Sequence, residues 1–230
     1  MNRRSKRYRQ MLEKINRSKR YNLGEAVGML KGFPKPKTNE TIKMSANLGV
    51  DPKHADQIVR STVMFPHGLG KTVRILVITK GEKEKEAKAA GADFVGAEDY
   101  IEKIMGGWLD VDIIVATPDM MSSVGKLGKI LGTRGLMPNP KSGTVTPDVT
   151  RAIKELKAGR VEYRVDKDGN ISVPIGKFNF EAIQIEENAN AFLDSLRKAR
   201  PNSVKGQYVR SLSISTGMGP GIHLETTSFN

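Results

Sequence analysis

The chain has 230 residues, enough for two domains, and 38 lysines and arginines outnumber 25 acidic residues to give a formal net charge of +13. A charge this positive favours a polyanionic partner, either nucleic acid or an anionic membrane surface. No apolar run approaches the roughly 20 residues of a membrane span, so nucleic acid is favoured and no membrane partner is expected. The absence of cysteine excludes disulfides and thiolate metal sites and fits a reducing cytoplasm.

The positive charge is concentrated at the two ends of the chain. Residues 69–158 contain 14 lysines and arginines and 12 acidic residues, whereas the two flanks together contain 24 and 13. Within the first twenty residues, Glu13 stands against the basic residues Arg3, Arg4, Lys6, Arg7, Arg9, Lys14, Arg17, Lys19 and Arg20. So one-sided a run favours phosphate contact over a merely solvated surface.

The first flank contains one predicted strand, and the middle alternates strands with helices. In the flank, apolar side chains from Ile42 to Leu48 alternate with polar ones, which predicts a strand with one buried face. In the middle, the predicted elements are the strands Val73–Thr79, Phe94–Val95 and Asp112–Thr117 and the helices Glu82–Ala90, Tyr100–Met105, Met120–Leu131 and Asp148–Lys157. Such alternation predicts a Rossmann-like α/β domain with a parallel sheet.

The second flank again has antiparallel, half-exposed character. Val161, Tyr163 and Val165 alternate with charged residues, and the turn Asp168-Gly169 predicts a hairpin with a strand at Ile171–Ile175. An amphipathic helix at Glu181–Ala199 and a strand at Tyr208–Thr216 follow.

Both flanks are basic and antiparallel in character, so the simplest arrangement joins them in one domain. We predict a discontinuous α+β domain, an antiparallel sheet with helices, from residues 1–67 plus 159–230. It encloses the inserted α/β domain of residues 68–158. The chain then crosses between the domains twice, and the predicted hinge consists of Pro66, Gly68, Gly70 and Gly159.

The segment Gly70-Lys71-Thr72 resembles the end of a phosphate-binding loop and suggests a nucleotide-dependent enzyme as the alternative function. That motif also requires a glycine where Phe65 stands, and a helix where a strand begins at Val73. A glycine linker is therefore the favoured interpretation. Since His54, His67 and His223 are far apart and not in metal-ligand spacing, we predict no catalytic residues, no metal site and no cofactor.

Two further segments leave alternatives open. Residues 131–141 combine two glycines, two prolines and two basic residues around Leu136-Met137, which is typical either of a functional loop or of a loop packed on its own domain. The second segment, Ser215–Gly221, follows a predicted strand. Its small residues either form a simple turn or allow RNA to approach the backbone closely, and the candidate contacts are Thr216, Gly217, Met218 and Gly219.

Several of these segments occur together and in the same order in one protein family. They are Val50-Asp51-Pro52, Pro66–Lys71, Ala116–Asp119, Gly135–Lys141 and Gly217–Pro220. The chain closely resembles ribosomal protein L1 of the bacterial large subunit over essentially its whole length. The resemblance implies a non-enzymatic, ribosome-associated cytoplasmic protein that binds large-subunit rRNA at the mobile stalk beside the tRNA exit site. It further implies a contact with deacylated tRNA and repression of its own operon mRNA; off the ribosome we expect a monomer.

The resemblance also implies RNA-binding residues, with two departures from the family pattern. Thr38 stands where the family has phenylalanine, and Gly217 stands where it usually has threonine. The residues carried over from the family are Lys37, Glu40, Thr41, Ser211, Met218 and Gly219. Arg164, on the charged side of its predicted strand, completes the predicted site together with the N-terminal Arg3, Arg4, Lys6 and Arg7.

Overall fold

The computed structural model describes residues 5–204 and 206–226, so the predicted contacts Arg3 and Arg4 lie outside the described residues. The helices are α1 Lys6–Glu13, α2 Leu23–Lys31, α3 Lys83–Ala89, α4 Glu98–Met105, α5 Met121–Gly125, α6 Gly128–Arg134, α7 Val149–Lys157 and α8 Ala182–Lys198. The strands are β1 Thr41–Leu48, β2 Arg60–Met64, β3 Ile75–Ile78, β4 Phe94–Gly96, β5 Ile113–Ala116, β6 Arg160–Arg164, β7 Asn170–Lys177, β8 Val209–Thr216 and β9 Ile222–Leu224.

The chain divides into two compact units. Unit 1 contains residues 1–70 and 161–230, and unit 2 contains residues 71–160. The predicted boundaries, 67/68 and 158/159, lie within three residues of these. None of the described helices is both long enough and apolar enough to span a membrane.

Unit 1 is built around a four-stranded antiparallel sheet with the strand order β7-β1-β8-β9. Alternate side chains of these strands, such as Met44, Val173 and Ile214, are completely buried. They share one core with Val27 of α2 and Phe192 of α8, so both helices cover the same face of the sheet. This confirms the predicted α+β class with an antiparallel sheet.

The predicted hairpin between β6 and β7 is wrong. The turn forms, since the Asp166 amide donates to the Asn170 carbonyl at 2.9 Å. However, β6 pairs with β2 in a separate two-stranded sheet, and β7 pairs with β1. The strands diverge because β2, which the sequence pattern did not indicate, offers β6 a different partner.

Unit 2 is a three-stranded parallel sheet, ordered β4-β3-β5, with helices on both faces. Leu76 and Ile78 of β3 join one core, and Ile75 and Val77 join the other. The predicted α/β class is confirmed. The single helix predicted at Met120–Leu131 is wrong. A 3-10 turn at Pro118–Met120 leads into α5, which ends at Gly125, and a separate helix, α6, begins at Gly128. Two glycines three residues apart weaken a continuous helix.

Candidate nucleic-acid interface

The face of the unit 1 sheet opposite the helices is open and polar. In register across β7, β1 and β8, Ser172 lies beside Ser45 and Ser213, and Asn170 lies beside Asn47 and Ser211. A third row consists of Pro174, Lys43 and Ser215. We call these nine positions the hydroxyl face.

The hydroxyl face combines donors and acceptors without negative charge. The Ser45 and Ser172 hydroxyls lie 3.0 Å apart, and Asn47 Nδ2 donates to Asn170 Oδ1 at 2.8 Å. Hydroxyl and amide groups both donate and accept hydrogen bonds, so they suit ribose hydroxyls and phosphate oxygens alike. Lys43 is exposed among them and adds a positive charge. This surface can therefore bind a sugar-phosphate backbone without needing aromatic side chains.

One end of the hydroxyl face gathers half of the predicted contacts. Here Thr41 lies opposite Lys177, whose Nζ donates to Thr41 Oγ1 at 2.9 Å, and Ile42 lies opposite Thr216. We call the group at this end the strand-end cluster, and its members are Arg7, Glu40, Thr41, Lys177, Thr216, Gly217, Met218 and Gly219.

Glu40 holds this cluster together from within. The carboxylate accepts a hydrogen bond from the Arg7 guanidinium of α1, and its other oxygen lies 3.4 Å from the Met218 backbone nitrogen, which donates to it. Burial disfavours the charged carboxylate, but the Arg7 guanidinium, the Thr216 hydroxyl and the Met218 amide, in that order, favour it and together outweigh that effect. The pKa of Glu40 therefore lies below its ordinary value. Because Glu40 and Thr216 are buried, their geometry suits positioning of the turn more than direct contact.

The turn that Glu40 anchors presents an apolar tip to solvent. Met218 is 74% exposed, more than the other large exposed hydrophobic residues of the described chain. Gly217 is also exposed. At Gly219 a Cβ atom would stand 2.4 Å from Thr216 Oγ1, so a side chain there would crowd the turn. The thioether of Met218 can pack on a base or ribose.

The remaining predicted residues are spread more widely. Lys6, Lys37 and Thr38 are exposed. Ser211 belongs to the hydroxyl face but lies five residues from Thr216, about 17 Å along an extended strand. Arg164 is exposed on β6, outside the main sheet, and lines an open cleft of about 460 Å³ with Pro52 and Ile58. The predicted site is therefore an extended surface rather than one pocket.

Sequence reasoning missed Lys43, Ser45, Asn47, Ser172, Ser213, Ser215 and Lys177 as site residues. The signal was present for most of them, because polar residues alternate with apolar ones in both β1 and β8. The pairing of β1 between β7 and β8 was not visible locally, and that pairing turns three separate polar stripes into one surface.

The comparison with known proteins agrees with this architecture. A family model described as the ribosomal protein L1p/L10e family matches residues 30–220. The chain belongs to this family. Large ribosomal subunit protein uL1 of Chlorobaculum tepidum is 52% identical to it over 224 residues, which is 97% of each chain. L1p/L10e proteins are structural and not enzymes, which confirms the non-enzymatic prediction, and they are ribosome-associated in the cytoplasm, as expected.

The Gly70-Lys71-Thr72 segment has no phosphate-loop geometry in this L1p/L10e chain. Residues 71–74 lead directly into β3, and the next helix is α3, which begins only at Lys83. The Lys71 ammonium donates to Asp112 Oδ1 at 2.7 Å and is engaged there. In the described residues, no cluster of histidine and acidic side chains has the arrangement of a metal site.

The predicted hinge residues Pro66, Gly68 and Gly70 lie in unit 1, and Asn188 of α8 holds this segment. Asn188 is completely buried; its Nδ2 donates to the Gly68 carbonyl at 3.0 Å and its Oδ1 accepts from the His67 amide at 3.2 Å. At Gly70, which has a φ of +63°, a Cβ atom would stand 2.7 Å from Phe180 Cε1. The fourth predicted hinge residue, Gly159, lies in unit 2.

Proposed function

We propose that this protein is a structural constituent of the large ribosomal subunit and that unit 1 binds the subunit's rRNA. The hydroxyl face and the strand-end cluster together form the RNA-binding surface. The observation that supports this best is the register of β7, β1 and β8, which places serines, asparagines and Lys43 in rows with no acidic side chain among them. Phosphate contacts supply affinity, while ribose contacts and Met218 supply recognition of RNA shape.

Removing unit 2 tests this assignment. A variant in which residues 71–160 are replaced by a short glycine linker should keep its affinity for an rRNA fragment within about tenfold, because the unit 1 core contains no residue of unit 2. Affinity is measured by titration of the labelled fragment. Cofractionation of the full chain with large subunits in a sucrose gradient is the control. Loss of most of the binding energy in the deletion variant would reject unit 1 as the principal site.

Met218 offers a second test with a matched control. Replacing Met218 with alanine should weaken rRNA binding by roughly three- to tenfold, since burying an exposed methionine on RNA contributes about 1 kcal/mol. Met64 of β2 is 55% exposed and lies outside the proposed surface, so Met64→Ala should leave affinity unchanged. Equal effects of the two substitutions would show that Met218 has no special contact.

We further propose that the protein assists release of deacylated tRNA beside the exit site and represses translation by binding its own operon mRNA. Because the mRNA would use the same surface as rRNA, the two RNAs should compete for unit 1. Simultaneous binding of rRNA and mRNA fragments would contradict the shared surface.

We also propose that the chain bends after Gly70 and near Gly159, since Asn188 and Phe180 hold residues 67–70 on unit 1.

A further inference from the structure

Unit 2 contains one strongly acidic segment in an otherwise basic chain. Residues 93–112 contain six aspartates and glutamates and one lysine, whereas the rest of unit 2 contains fourteen basic and six acidic residues. This segment includes β4, α4 and the single tryptophan of the chain, Trp108. Because so negative a segment repels phosphate groups, it is unsuited to the RNA partners proposed above.

Three aromatic rings of this segment lie together. The ring centroids of Phe94 and Trp108 are 5.1 Å apart, those of Tyr100 and Trp108 are 5.5 Å apart, and those of Phe94 and Tyr100 are 6.2 Å apart. The three residues pack against the unit 2 core but are only half-buried. Among the strands of the described residues, none pairs with the outer side of β4, so Phe94 lies at an open edge of the sheet.

The rings are held in place, yet one polar group of theirs is unused. The Tyr100 ring lies directly on β4, since a Cβ atom at Gly96 would stand 2.5 Å from its Cδ2 atom. The indole N–H of Trp108 has no hydrogen-bond partner within residues 5–204 and 206–226. Tryptophan and tyrosine contribute strongly to protein–protein contacts, because they offer a large rigid surface together with a polar group.

The outer side of α4 continues this aromatic group with carboxylates. Residues three or four apart on a helix are neighbours, so Lys103 lies beside both Asp99 and Tyr100, and Glu102 lies beside Asp99. Asp99 and Glu102 are exposed. In the part of the chain that the structure describes, no ion pair engages either carboxylate.

The position of Lys103 indicates which chemical group this surface accepts. Its ammonium lies 4.5 Å from the centre of the Tyr100 ring, although Asp99 is available four residues away. A cation over an aromatic face is attracted by the negative potential of the ring. The surface therefore already holds one ammonium group on a ring, and two carboxylates beside it remain free for further cations.

We propose that Phe94, Tyr100 and Trp108 together with Asp99 and Glu102, which we call the aromatic edge, form a docking surface for a lysine- and arginine-rich segment of a partner protein. The rings bind the cationic groups and their aliphatic stems, and the carboxylates supply complementary charge. The negative charge of residues 93–112 disfavours RNA and anionic membranes. The inference is independent of RNA binding by unit 1.

The single tryptophan makes the test direct, because emission of the full chain from Trp108 reports on the aromatic edge alone. The probe is a labelled peptide of alternating arginine, lysine and glycine, titrated at low salt so that exposed charges are weakly screened. Anisotropy of the label measures affinity, and Trp108 emission shows where the peptide binds. The test variant is Asp99→Asn with Glu102→Gln. The control is Glu82→Gln with Glu86→Gln, which removes the same charge from exposed positions at α3.

We expect the peptide to change Trp108 emission with the same midpoint as the anisotropy. The test variant should lose about fivefold or more in affinity because two exposed ion pairs are removed, while the control should lose about twofold at most. A third variant, Tyr100→Leu, keeps an apolar side chain but removes the ring face and should lose about threefold. Circular dichroism checks that each variant is folded.

Several outcomes would overturn the proposal. They are equal losses in the two double variants, peptide binding without a change in Trp108 emission, and no binding of the peptide to the unaltered chain. An RNA oligonucleotide that changes Trp108 emission at a lower concentration than the peptide would overturn it in favour of RNA. Self-association of the chain that is abolished by Asp99→Asn with Glu102→Gln would overturn it in favour of a second copy.

Discussion

Replacing Glu40 with alanine should weaken rRNA binding by roughly 30-fold, about 2 kcal/mol, although the change removes a negative charge. The substitution leaves the Arg7 guanidinium without its carboxylate and the Met218 amide without its acceptor. Arg7 Nη2 is already buried without a hydrogen-bond partner among the described residues, and Arg7 Nε donates to the Pro34 carbonyl at 3.2 Å, so Glu40 supplies the carboxylate that anchors this guanidinium. Loss of that anchor frees the turn that presents Met218.

The matched control for this substitution is Glu13→Ala. Glu13 is an exposed acidic residue at the end of α1, and its removal changes net charge by the same amount. If charge alone determined affinity, both variants would bind RNA slightly more tightly. Our account predicts a slight gain for Glu13→Ala and a large loss for Glu40→Ala, both measured by titration of an rRNA fragment. Parallel gains would contradict a positioning role.

Glu40 should also make the folding stability of unit 1 depend on pH. Because its pKa is lower in the folded chain than in the unfolded chain, the ionised carboxylate stabilises the fold. This contribution is fully present above the ordinary pKa of about 4.3 and is lost as pH falls through the lowered folded value. The difference in urea midpoint between the unaltered chain and Glu40→Gln should be constant from about pH 6 to 8 and shrink below about pH 4.

Replacing Asn188 with alanine should destabilise unit 1 by about 3 kcal/mol or more. Its side chain satisfies three backbone groups: the His67 amide and the Gly68 and Ile175 carbonyls, the last at 2.8 Å. Each buried polar group left unpaired costs about 1–3 kcal/mol. Urea unfolding followed by circular dichroism measures the change.

Asn190, on the same helix, is the control for Asn188. It is exposed, and alanine has a higher helix propensity than asparagine, so Asn190→Ala should be neutral or slightly stabilising. Similar changes in both variants would show that the hydrogen bonds of Asn188 do not determine stability. A large effect confined to Asn188 would support its role in holding the chain where it leaves unit 1.

The predicted elements were most accurate where periodicity was long and regular. The buried stripe of α8 and the alternation in β1 were visible locally because their apolar side chains face one core. Helices α1 and α2 were missed, since α1 buries only Met11 and its basic residues hide any apolar stripe. The hairpin prediction failed because a turn signal specifies the direction of the chain and not the partner of the strand.

The sequence predicted which residues form the candidate site better than it predicted the role of each residue. The family resemblance indicated Glu40 and Met218, and the small-residue segment after the last long strand indicated Thr216, but neither distinguished buried residues from exposed ones. The burial of Glu40 depends on α1, because this helix places Arg7, 33 residues away in sequence, in contact with Glu40. No local pattern contains that contact. The hydroxyl face could not be predicted from the sequence either, because it forms only when β1 pairs with β7 on one side and with β8 on the other.

The central claim is that RNA lies on the open face of the unit 1 sheet, and charge reversal of Lys43 tests it most directly. Lys43 is exposed on that face, while Lys198 is exposed at the end of α8, which covers the opposite face. Lys43→Glu should weaken rRNA binding by about tenfold or more, and Lys198→Glu should change it by about threefold at most. Titration of one rRNA fragment at one salt concentration compares the two variants. Equal losses, or a greater loss for Lys198→Glu, would contradict binding on the open face.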